Sequence, residues 1–163
     1  MNHSVKHIPR HIFYFGRLIL IGLFLAISML QLLSFPGQFR NEATVGGASQ
    51  TSRWFLTIMV GIWFFMAQIA IVALWKTLSL IYLNELVSET GLKWVNLIVR
   101  TLGAAALYGA GITILAIIAT KEPGPGVIVA SVTTFISALF VISYFFRYQL
   151  FYSKLNYEAH QEE

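Results

Sequence analysis

The sequence predicts an all-α membrane protein, four transmembrane helices in an antiparallel bundle, as one integral-membrane domain over residues 1–163. Three observations carry that fold class. Only 11% of the 163 residues are charged, against about 25% in an ordinary soluble domain, so too few charges are available to cover a core in water. Four apolar runs are each close to the roughly 20 residues that cross about 30 Å of hydrocarbon as a helix. None of the four alternates, whereas a membrane strand would need only about 9–11 residues of alternating character.

The first run, Phe15 to Phe35, is longer than the roughly 7–15-residue core of a signal peptide. "LLSFPGQFR" has no small-residue cleavage pattern, so an uncleaved span ending at Pro36-Gly37 is expected. The second runs from Trp54 to Lys76, with its helix continuing towards Leu86. The third follows Arg100, from Thr101 to Thr120, and "KEPGPG" then breaks the chain. The fourth covers Val127 to Phe146. The expected spans are therefore about 15–35, 54–76, 97–120 and 127–148. The short connection Lys121 to Gly126 forces spans three and four into antiparallel contact. Small residues four apart let backbones approach, and Gly109, Ala110, Ala130 and Thr134 are the expected packing residues. Such faces also suit a homo-oligomer.

Basic residues set the orientation. Eight of the eleven Lys and Arg fall on one side: Lys6, Arg10 and Arg17, then Lys76, Lys93 and Arg100, then Arg147 and Lys154. By the positive-inside rule both termini are cytoplasmic, in a plasma membrane crossed several times. The net charge of +4 is explained by this flanking, and no direct nucleic-acid binding is expected.

Between spans two and three lies "LWKTLSLIYLNELVSETGLKWVNLIVR". Glu89, Lys93, Asn96 and Arg100 share one helical face, and Ser88 can cap the helix start. Gly91 weakens the first turn. Arg100, near the hydrocarbon edge, is expected to pair with Glu85 or Glu89. Glu85, Glu89, Lys93 and Arg100 are the candidate contact residues for a protein partner, weighed against a plain helix end anchored by snorkelling side chains.

"QIAIVALWKTLSLI", "LVSETGLKWVNLIV", "GAAALYGAGI" and "PGPGVIVASV" resemble the bacterial integral-membrane family catalogued as domain of unknown function 2975, over about Trp54 to Phe146. The resemblance implies a four-helix membrane protein, often encoded beside small helix-turn-helix regulators, and carries no enzymatic residues. Members often have an aromatic-Ser pair and a more basic inner loop. Here Val87-Ser88 stands with Glu85 and Glu89.

Catalytic and cofactor chemistry find no footing in the sequence. Asp and Cys are absent, no His falls in a span to ligate haem, and the Ser and Thr of the spans have no His or Lys at depth to activate them. No enzyme, cofactor or metal site is expected. His3, His7 and His11 have metal-compatible spacing, but Pro9 interrupts them and Lys6, Arg10 and Arg17 would repel a cation. A basic segment on the membrane surface is the simpler reading. Inside the bundle, Gln68 and Tyr108 lie at similar estimated depth and are expected to hydrogen-bond to each other, since lipid satisfies neither. Failing that, Gln68 would line a small ligand cavity, with Ser28 and Ser137 near the same level. The expected role is that of a non-enzymatic regulatory or scaffolding membrane protein working by partner contact. The alternative is a small transporter or channel subunit.

Overall fold

The computed structural model describes residues 9–34, 50–119 and 123–159. Helix α1 spans Arg10–Met29 and closes in a π turn, Leu30–Ser34. Pro9 stands just outside it, where a missing N–H costs nothing, and its carbonyl accepts the Ile12 and Phe13 N–H groups at 3.0 and 3.3 Å. Helix α2 covers Gln50–Tyr82, α3 covers Glu89–Ala119 and α4 covers Pro123–Ala159. Segments 10–32, 58–82, 89–115 and 129–155 are each long and apolar enough to cross a membrane. The chain is a multi-pass membrane protein built as an all-α four-helix bundle.

Two helix ends differ from the sequence expectation. Helix α2 stops at Tyr82, short of Leu86, because Asn84 takes a left-handed conformation with φ 59°. The Asn84 N–H reaches the Ile81 carbonyl at 3.1 Å and the Glu85 N–H reaches the Leu80 carbonyl at 2.8 Å. That crossed pair satisfies carbonyls the helix end would otherwise leave free. At the other end of the bundle, "PGPG" is not a break. Pro123 to Gly126 form the first turn of α4, where the first N–H groups of a helix have no internal partner and proline removes none that is needed.

The helices contact one another in chain order, α1 on α2, α2 on α3 and α3 on α4. Residue pairing is antiparallel at each seam. The middle pair carries the core: Ala70, Ile71, Ala73 and Thr77 of α2 are buried, as are Val95, Ile98, Val99, Thr101 and Ala105 of α3. The outer helices each bury one described side chain, Phe13 in α1 and Thr133 in α4. Their large exposed apolar side chains, Leu18, Phe135 and Phe145 among them, belong against hydrocarbon.

The α3–α4 seam is built around Gly109, and the other expected packing residues take different places. Gly109 is buried, and a Cβ added there would lie 2.6 Å from Thr133 Oγ1 and 2.9 Å from the Trp63 ring. Ala130 is half-buried, but Ala110 and Thr134 are exposed. The seam in α4 is centred on Thr133, one residue from the expected position. One residue is about 100° of helix rotation, enough to turn Thr134 outward, and its hydroxyl donates back to the Ala130 carbonyl at 2.8 Å.

Candidate functional site

The end of the bundle holding the 83–88 turn gathers the described polar residues with the strongest claim to a role. The turn is fixed from both sides. Ser88 Oγ accepts the Gly91 N–H at 3.1 Å, so Ser88 caps α3 as the sequence predicts. Gly91 is there for space. It is buried, and a Cβ would run into the Leu86 backbone carbonyl. Helix α3 continues unbroken through Leu92, Arg100 and into its apolar half, as expected from the single polar stripe.

The structure separates the four candidate contact residues. Glu85 and Glu89 are exposed at the turn. Glu89 Oε1 lies 3.9 Å from Lys154 Nζ, which brings the last part of α4 alongside. Lys93 and Arg100 are also exposed, and the carboxylate partner expected for Arg100 is not found among the described residues. Glu89 stands eleven residues earlier on the same helix, about 16 Å along the axis, and Glu85 lies further still in the turn. The helical face is common to Glu89 and Arg100, but the distance along it exceeds what the two side chains bridge.

Lys93, Trp94, Asn96, Leu97 and Arg100 instead line a depression of about 460 Å³. Asn96 Oδ1 is itself buried and has no hydrogen-bond partner. Leu97 also borders a second cleft of about 290 Å³, with Phe24 of α1 and Phe65, Gln68, Ile69 and Val72 of α2.

Arg17 holds a place that the sequence reading reduced to a flanking charge. Its guanidinium carbon lies 4.5 Å from the Phe13 ring centroid and 5.0 Å from that of Trp75. Its Nη2 donates to Ser79 Oγ at 2.9 Å, and Phe13 stacks on Tyr82 at 4.3 Å. Cation–π contact of this kind contributes about 0.5–2 kcal/mol. The signal was present: Phe13 precedes Arg17 by four residues and Trp75 precedes Ser79 by four, one helical face each.

Gln68 and Tyr108 do not meet. Gln68 Nε2 donates to Ser28 Oγ at 2.9 Å, and Tyr108 donates to the Met59 carbonyl at 3.0 Å. Counted from the turn, Tyr108 starts about 8 Å higher in the bundle than Gln68, because the helices begin at Tyr82 and Glu89 rather than at the assumed membrane edges. Ser28 lies at the level of Gln68, but the cleft that Gln68 borders is lined by neither Ser28 nor Ser137, and Ser137 donates to the Thr133 carbonyl of its own helix at 2.8 Å.

Of the histidine run, His3 and His7 lie outside the described residues and His11 is exposed. Among the described residues no three metal-ligating side chains gather. No curated protein and no solved structure matches the chain. A family match does exist, and it covers residues 37–152, from shortly after the π turn that closes α1 nearly to the end of α4. With most of its length matched and four apolar helices in place, the chain belongs to the family described as protein of unknown function DUF2975.

Proposed function

We propose that this protein is a non-enzymatic regulatory or scaffolding component of a bacterial cytoplasmic membrane, with both termini in the cytoplasm, that acts by contact with a partner protein at the 83–88 turn. One observation supports the reading above others. The turn is short, capped by Asn84 on one side and by Ser88 on the other, and it presents exposed Glu85 and Glu89 from a fixed backbone. A surface already ordered loses less conformational entropy on binding. Lys154 beside Glu89 extends the same surface onto α4. The division of Lys and Arg supports the cytoplasmic placement of this end.

The partner this surface suits has a basic face complementary to the two carboxylates. The test is affinity purification in mild detergent of the wild type and of the E85K/E89K variant, at matched membrane expression. The reading requires a protein that co-purifies with the wild type and is lost from the variant. Equal recovery with both would overturn it.

A further inference from the structure

The depression on α3 and the cleft at Leu97 have complementary chemistry. We propose that together they bind one anionic glycerophospholipid of the leaflet at the turn end, with its phosphate at Lys93 and Arg100 and an acyl chain in the cleft. The inference is independent of the partner-contact reading, which rests on Glu85 and Glu89.

Three observations carry it. Lys93 and Arg100 stand one above the other on α3, about 10 Å apart along the axis, and neither has a carboxylate partner among the described residues. Glu89, the acid one turn from Lys93, is turned to Lys154 instead. Two unneutralised cations flanking one depression select for net negative charge over a zwitterion. Asn96 stands between them on the same helical face and borders the depression. Trp94 borders the depression, as an aromatic ring at headgroup level does.

The cleft supplies the other half. Phe24, Phe65, Ile69 and Val72 line it, and Leu97 belongs to both hollows, so a chain entering from the cations passes directly onto apolar walls. The cleft is open to the surface rather than sealed, as a lipid site requires. Its about 290 Å³ accommodates part of one acyl chain, leaving the other in bulk lipid.

The test is native mass spectrometry of the full chain in detergent, titrated with dioleoyl-phosphatidylglycerol or dioleoyl-phosphatidylcholine. Phosphatidylglycerol should be retained in preference to phosphatidylcholine. The K93Q/R100Q variant should bind it about thirtyfold more weakly, the factor expected for two cations lost near a charged surface. The R147Q variant, at an arginine outside both hollows, should bind as the wild type does. With the unaltered protein, raised salt should release phosphatidylglycerol, which keeps the test valid if the double variant folds poorly. Equal retention of the two lipids, wild-type affinity in K93Q/R100Q, or salt-insensitive binding would each overturn the proposal. So would equal competition by soluble glycerol phosphate, which would mean a site for the anion alone.

Discussion

The α1–α2 and α3–α4 seams solve the same problem by different means. Between α1 and α2, side chains bridge at three levels: Arg17 to Ser79, Gln68 to Ser28, and Gln31 to the Gly61 carbonyl at 3.3 Å. Between α3 and α4 the described hydroxyls turn inward on their own helix. Ser131, Thr133, Thr134 and Ser137 each donate to the carbonyl four residues back at 2.8 Å. Besides the exposed Glu89–Lys154 pair, what joins that seam is proximity. Gly109 meets β-branched Thr133 and the Trp63 ring, which cannot swing away, whereas Gly16 of α1 meets the flexible Leu78 side chain at 3.1 Å. Lipid offers apolar helices no hydrophobic reason to associate, so packing and polar bonds carry the association. One seam relies mainly on the second, the other on the first. The family match begins at residue 37, after α1, so the packed seam lies within the matched region and the bridged one is only half inside it.

That contrast is open to direct tests. The largest effect is expected from Gly109→Leu, which forces a side chain into the space held by Thr133 and Trp63. It should cost about 3 kcal/mol, the upper part of the overpacking range, read as a lowered melting temperature in detergent. An unchanged melt would remove close packing as the basis of the α3–α4 seam. Next comes Gly91→Ala. Alanine would favour a helix interior by about 1 kcal/mol, but the Leu86 carbonyl blocks its methyl group, so net destabilisation is expected. A stabilised variant would show that the turn backbone yields.

A smaller and more selective effect concerns the bridged seam. Gln68→Leu and Ser28→Ala should couple by about 0.6 kcal/mol in a double-mutant cycle, an ordinary value for such bonds in membranes. Gln68→Leu with Tyr108→Phe should be additive, because the two side chains have separate partners. Coupling in the second cycle and none in the first would reverse the assignment. The smallest effect is that of Glu89→Gln. The Glu89 side chain is 79% exposed and 3.9 Å from Lys154, and such pairs add little that survives salt. Its melt should match the wild type within error, while a measurable loss would mean that α4 is tied to the turn more firmly than its geometry indicates.

What was legible in the sequence follows from which physical signals are local. Span number, the Ser88 cap and the unbroken start of α3 depend on run length and on spacing along one helix, and all are visible in a string of letters. Rotation about the helix axis is less so. Thr133 and Thr134 are chemically identical neighbours, and only the position of α3 decides which is buried. Depth is not local either: Gln68 and Tyr108 are levelled by where their helices end and begin, at Asn84 and Ser88, and not by the bounds of the apolar runs. Pro123 misled because proline signals both the end of one helix and the first turn of the next. In the candidate site, the charged stripe was legible but its division was not. Glu89 and Arg100 share a face, yet only the third dimension gives one of them Lys154 and the other an open hollow.

The order of contacts, each helix resting on the one before it in the chain, has a consequence for how the molecule is made. A ribosome delivers α1 first, and every later helix emerges when its main neighbour is already in the bilayer. Pairing α2 with α3 requires closing only the six residues 83–88, and pairing α3 with α4 only residues 120–122. Short closures carry little entropic penalty and are made quickly. Assembly can thus proceed helix by helix during synthesis, the main contacts among the described residues being those between consecutive helices.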